Sequence, residues 1–154
     1  MDTSAIIKRY VPAETGSNWT IALCEPNAGQ RIVLAQATLV EAIATICRKA
    51  REPQPTLRIT KEERERLIAL FRLDIRKQYH VIPVTVSLYT KAGNLCRIHP
   101  LRAYDAIQLA CALSIRNKLI SSDQPAPVFV SADDKLLDIA RAEGFAVENP
   151  NNYN

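Results

Sequence analysis

Histidine is nearly absent from this chain. Its two copies, His80 and His99, form no HxxxH or HExxH pair, so a histidine-ligated zinc site has no support. No two of the four cysteines (Cys24, Cys47, Cys96, Cys111) have CxxC spacing. Cys47 and Cys111 lie among apolar residues at helical periods. The set reads as small buried hydrophobes in a reducing compartment, not as a disulfide or zinc framework. There is no GxxxxGK(S/T) loop, which removes an ATP-binding claim, and no GxSxG context around Ser4, which removes a serine-hydrolase reading. A phosphatase of the DxDxT kind is disfavoured because Ser4 stands where the second Asp should be. No apolar run approaches the roughly 20 residues of a membrane span. No charged leader with an apolar segment and cleavage site is visible. The expected setting is the cytoplasm, with no membrane partner.

What is present is ordinary core-forming material. The 154 residues are expected to form one domain over 1–154, large enough for a full core. The excess of 20 Lys+Arg over 16 Asp+Glu gives a net charge of +4, which permits contact with nucleic acid without requiring it.

Periodicity lays out alternating elements. Two short helices, 4–11 and 14–25, break near Pro12. RIVLAQ (31–36) is a strand and Thr38 to Arg51 a helix. EPQPT is a loop, since Pro53 and Pro55 exclude helix. Thr60 to Gln78 is a long helix with Leu67, Leu70, Phe71 and Ile75 as its stripe and a charged outer face that includes Asp74. VIPVTV (81–86) is a strand that Pro83 places at an edge. Helices follow at 87–97 and from Ala103 to Lys118. VFVSA (128–132) is a strand, Asp134 to Glu143 a helix stopped by Gly144, and FAVEN a last strand. The alternation predicts an α/β fold: a parallel sheet covered on both faces, with sites at the carboxyl ends of its strands.

Four acids stand at the edges of apolar stretches: Asp2 in MDTSAIIKRY, Glu41 in ATLVEAIATICRK, Asp105 in LRAYDAIQLACAL and Asp133 in VFVSADDKLLDIA. Gathered at one sheet edge they would repel one another, or hold a hard divalent cation. Each also has a plainer explanation. Thr38-x-x-Glu41 is a capping box, the same pattern as Thr60-x-x-Glu63. Asp133 is a possible N-cap, or Ser131 caps onto Asp134, and capping needs only one of the two acids. Asp2 is either an N-cap or a solvated terminal residue. Asp105, beside Ala106, Ile107, Leu109 and Ala110, has the least ordinary setting, because a carboxylate among apolar side chains needs a partner.

Taken in order, DTSAIIKRY, TLVEAIATICRK, LRAYDAIQLACAL and FVSADDKLLDIARAEGF resemble the PIN-domain family, with the nearest likeness to the VapC-type toxins of type II toxin–antitoxin pairs. The resemblance runs along nearly the whole chain. It implies a three-layer α/β/α sandwich with a parallel sheet of four to five strands. It implies a metal-dependent ribonuclease with Asp2, Glu41, Asp105 and Asp133 as its acids. Asp2, Asp105 and Asp133 would ligate one or two Mg2+ or Mn2+ ions, and Glu41 would complete the set. Thr3, Ser4, Ser131 and Asp134 would support them, and Lys8 and Arg9 would meet the RNA backbone. The implied partners are RNA, a cognate antitoxin and a second copy of the chain. Family members carry an apolar central strand before the first acid, whereas Met1 directly precedes Asp2 here. The first strand is therefore expected to be truncated, with coding sequence upstream of Met1 supplying the rest. A PIN nuclease of RNA processing, or a non-catalytic module on the same fold, are the competing readings.

Overall fold

The computed structural model describes residues 1–11 and 14–153, so the break expected near Pro12 lies outside the described residues. Among the described residues, seven α-helices and four strands run in the order α1 (Thr3–Ile6), α2 (Ser17–Leu23), β1 (Val33–Ala35), α3 (Ala37–Lys49), α4 (Lys61–Lys77), β2 (His80–Ile82), α5 (Val86–Ile98), α6 (Ala103–Ile120), β3 (Phe129–Val130), α7 (Asp134–Ala142) and β4 (Val147–Glu148). The α/β alternation is as the sequence predicts. The strands are shorter than their apolar runs, because the ladder ends where a neighbouring strand ends.

All pairing among the described residues is parallel, in two separate ladders. β1 pairs with β2, with Leu34 opposite Val81, and β3 pairs with β4, with Phe129 opposite Val147. The backbone at residues 1 and 2 lies between the ladders. The Met1 amino group donates to Val33 O at 3.1 Å, and Asp2 N–H donates to Val130 O at 2.9 Å. The spatial order is therefore β2, β1, residues 1–2, β3, β4. One sheet of four to five strands with a truncated first strand is expected; among the described residues four strands form two ladders, joined by the backbone of residues 1 and 2 where that truncated strand would run. β2 carries the edge, consistent with Pro83 just beyond it.

Helices cover both faces. Neighbouring residues of a strand point to opposite sides, and in β1 Leu34 packs with Ile6, Ala42, Ile46 and Phe71, while Ala35 packs with Leu88, Leu109, Phe129 and Leu136. One face thus belongs to α1, α3 and α4, the other to α5, α6 and α7. From Ala106 through Cys111 every residue of α6 is buried, as its run of small and apolar residues predicts. Gly144, at φ 84°, stops α7 in the left-handed conformation a side chain would disfavour. No described helix is long and apolar enough to cross a membrane.

Three local expectations are corrected. The Thr60–Glu63 capping box forms, with bonds of 3.1 and 2.7 Å, but the Thr38–Glu41 box does not. α3 starts a residue earlier, after Gln36, which leaves Thr38 fully buried inside the helix and Glu41 free for other partners. Asp74 is not on a solvated face. It is buried, accepts from Tyr10 OH at 2.7 Å and pairs with Arg9, and Tyr10 OH in turn meets Tyr79 OH. Leu70 is 42% exposed, and Ile68 takes its place in the core. Among the cysteines, Cys24 and Cys111 are buried and Cys96 is exposed, and all four are free thiols.

Phe71 is 1% exposed and meets the Tyr10 ring edge-on, so Phe71→Ala should lower unfolding free energy by about 3–5 kcal/mol in denaturant titration. Leu70→Ala on the neighbouring surface position should change it by less than about 1 kcal/mol. Equal losses for the two would contradict this placement of the core.

Candidate active site

The site is built where the stub, α3, α6 and the turn after β3 come together at the carboxyl ends of the strands. Asp2 is its centre. It caps α1 through Ala5 N–H, which donates to its Oδ1 at 3.0 Å. Ser4 Oγ lies within 3.0 Å of both carboxylate oxygens, and Ser131 Oγ donates to Oδ2 at 2.9 Å. Ser4 also accepts from Ala132 N–H, so the two serines tie the start of the chain to the end of β3. Asp2 is 3% exposed. Burial raises its pKa, opposed in part by these hydrogen bonds and by the Met1 ammonium.

Glu41, released from capping, points back to α1. Its Oε2 accepts from Thr3 Oγ1 and from Gln108 Nε2, both at 2.6 Å. Gln108 is buried in α6 and also accepts from Thr3 N–H at 2.9 Å. One amide thereby fixes α1 and α3 against α6. The Glu41 pKa is raised, first by desolvation and then by the charges of Asp105 and Asp2, with the Thr3 hydrogen bond pulling the other way.

Asp105 and Asp133 are joined by a residue the sequence reading did not single out. Arg102 donates from Nε to Asp105 Oδ2 at 2.7 Å and from Nη2 to Asp133 Oδ2 at 3.3 Å. Its side chain is 78% exposed, and Asp105 holds its pKa up. Asp133 also caps α7, accepting from Lys135 and Leu136 N–H, so of the two adjacent acids it is Asp133 that caps.

The remaining expected residues have other work. Asp134 accepts from Asn149 Nδ2 at 2.7 Å. Lys8 is buried, donates to Thr15 O at 2.8 Å and pairs with Glu14. Arg9 is held by Asp74 and Glu25. Neither cation is free for a phosphate backbone. Gln108 had a visible signal, a lone amide inside AIQLACAL, and Arg102 lies three residues before Asp105, a spacing at which helical side chains meet.

The four acids share one electrostatic neighbourhood: Asp2 and Asp105 raise Glu41, and Arg102 bridges Asp105 and Asp133. Their donors are all oxygen, the set that Mg2+ and Mn2+ prefer. No group of three or more His, Cys, Asp or Glu side chains among the described residues stands at metal-holding spacing. Arg102 supplies the local positive charge instead. Arg102 is itself exposed, so a divalent cation would compete with it for the Asp105 and Asp133 carboxylates. In donor chemistry and net charge the residues fit such an ion.

The fold and site define an α/β/α protein with carboxylates gathered at the carboxyl ends of its parallel strands. The family model described as PIN domain matches residues 1–141, and the chain belongs to that family, a family of nucleases. No curated protein matches the chain.

Because the folded-state pKa of Asp2 lies above its unfolded value, its protonated form favours the fold at low pH. That contribution is lost as pH rises through the folded pKa. Asp2→Asn, which keeps the cap, should therefore raise the unfolding midpoint at pH 8 in EDTA, and the gain should shrink toward pH 4. A wild-type chain that is the more stable at pH 8 would reverse this reading of the site.

Proposed function

We propose that the protein is a divalent-metal-dependent endoribonuclease and the toxin of a toxin–antitoxin pair. The observation that carries the reading is the convergence of Asp2, Glu41, Asp105 and Asp133, from four separate segments, on one edge of a PIN fold. Asp2, Asp105 and Asp133 would hold Mg2+ or Mn2+, one or two ions, with Glu41 completing the set. Such an ion neutralises phosphate charge and lowers the pKa of water at neutral pH. Glu41 keeps one oxygen on Thr3 and Gln108 and the other free. With its pKa raised, it suits the task of orienting the attacking water and taking its proton. Arg102, exposed and rich in donors, is placed to receive the RNA phosphate once it leaves Asp105 and Asp133. Ser4 and Ser131 keep the Asp2 carboxylate from turning away. A cognate antitoxin and a second copy of the chain are the proposed protein partners, and the cytoplasm is the proposed setting.

One observation favours a second reading, a non-catalytic module on the same fold. Among the described residues the acids are not drawn together into a metal-holding group, and Arg102 occupies the space between two of them. Calorimetric titration with Mn2+ separates the readings, since the module should take up none.

Incubation with single-stranded RNA, tRNA and DNA, each with Mg2+, with Mn2+ and with EDTA, should give cleavage of RNA only, and only with metal. DNA cleavage at equal rate would remove the ribonuclease assignment. Asp105→Asn should abolish metal-dependent cleavage with an unchanged circular dichroism spectrum, and full retained activity would refute its role. Arg102→Gln should tighten Mn2+ binding about two- to five-fold, by removal of the competing cation, while raising the KM for RNA. Weaker Mn2+ binding in that variant would show that Arg102 organises the acids instead of competing for them.

A further inference from the structure

The turn that carries Asp133 is gripped from two sides. On one side Ser131 Oγ accepts from Asp133 N–H at 3.1 Å, and Ser4 Oγ accepts from Ala132 N–H at 2.8 Å. On the other side lies the segment that follows β4. The β3–β4 ladder ends where Ser131 N–H donates to Glu148 O at 3.1 Å. Just past that point Asn149 Nδ2 donates to Asp134 Oδ1 at 2.7 Å, and Asn151 Nδ2 donates to Ala132 O at 3.3 Å. Asp133 stands between the two gripped residues.

The gripping segment is itself well held. Asn149 is 5% exposed and the Pro150 side chain is fully buried. Asn149 Oδ1 accepts from Asn151 N–H at 2.9 Å, which shapes the single 3-10 turn Pro150–Asn152. The amide thus shapes its own segment with its oxygen and reaches Asp134 with its nitrogen, a pairing of acceptor and donor that a carboxylate cannot supply. Trp19 of α2 stacks on Tyr153 with centroids 4.7 Å apart, and Tyr153 OH donates to Glu148 Oε2 at 2.7 Å. Gly16, at φ 80°, lets α2 approach so closely that a side chain there would collide with Pro150 O.

Asp133 Oδ1 is taken up by the cap on α7, which leaves Oδ2 to face Arg102 and the other acids. Where Oδ2 points follows from the Asp133 backbone, at φ −103° and ψ 107°, and that backbone is set by its two neighbours. We propose that Asn149 is a positioning residue: through Asp134 it locks the 131–134 turn and so aims Asp133 Oδ2 into the acid site. The locking rests on the hydrogen bonds alone, and its consequence for metal binding rests on the metal-dependent reading of the site. Asp134 then acts by accepting the Asn149 N–H and not by its charge.

Substitutions at Asp134, an exposed position, separate bond from charge. Asp134→Asn removes the charge and keeps a carbonyl oxygen for Asn149, whereas Asp134→Ala removes both. Amide hydrogen exchange of Lys135 and Leu136, the groups that donate to Asp133 Oδ1, reports the turn in EDTA and needs neither metal nor RNA. Calorimetric titration with Mn2+ reports the ligand. Exchange should quicken about ten-fold in Asp134→Ala and stay within about two-fold of wild type in Asp134→Asn. Mn2+ should bind about ten-fold more weakly in Asp134→Ala and not in Asp134→Asn. Asn149→Asp, which sets two carboxylates against each other, should behave as Asp134→Ala does. Combining it with Asp134→Asn restores one donor and one acceptor and should return both readouts to near wild type. If the buried Asn149→Asp chain does not fold, the two exposed substitutions decide alone. Equal effects of Asp134→Ala and Asp134→Asn would overturn the proposal. So would a lowered unfolding midpoint in Asp134→Ala with exchange and Mn2+ affinity unchanged, which would leave the bond a purely structural role. A wild-type chain that takes up no Mn2+ would remove the metal-dependent reading instead, and the exchange comparison would still decide the locking.

Discussion

Two backbone hydrogen bonds, from Met1 to Val33 and from Asp2 to Val130, carry the strand-to-strand continuity of this molecule. Among the described residues, every other strand pairing lies within one ladder or the other. The same two residues deliver the Asp2 carboxylate to the place where both ladders end. Fold and site therefore depend on one short segment: whatever holds residues 1 and 2 between β1 and β3 also aims the central acid. Ser4 and Ser131 reinforce the joint from the side-chain level, since both reach Asp2 and Ser4 also takes a backbone proton from Ala132.

Around that joint the structure concentrates uncompensated negative charge. Desolvation makes Asp2 costly to ionise, and Glu41 bears both desolvation and the repulsion of its neighbours. The protein answers with hydrogen bonds inside the site and with one exposed cation outside it. Gln108 and Thr3 satisfy Glu41 without neutralising it, and Arg102 pairs with Asp105 and Asp133 at the solvent side. The buried acids are thus supported by neutral donors, with one exposed cation at the solvent side. This is the arrangement expected of a centre that performs hydrolysis on a phosphate, and it costs stability to maintain.

The identical motifs at Thr38 and Thr60 show how far local pattern reaches. Both read S/T-x-x-E, yet only the second forms the capping box, because α4 begins in solvent where nothing else competes for Glu63. At α3 the helix start is shifted by its packing on β1 and α6, and two better donors claim Glu41. Asp74 fails as a surface residue for a related reason. Its place on the helix is legible from period alone, but Tyr10 and Arg9, more than sixty residues away in sequence, bury it. Lys8 and Arg9, chosen by proximity to Asp2, are drawn off by Glu14 and Asp74.

The sequence by itself determined the order and type of the elements, the parallel sense of the strands, and which acids stand at element ends. These follow from periodicity and turn chemistry, which act over a few residues. Only the tertiary structure decided that Arg102 and Gln108 bind those acids, and that the strands fall into two ladders held together through the backbone of residues 1 and 2. Those outcomes depend on contacts between segments that no local pattern ranks, because the competing partners of each side chain are known only once the chain is packed.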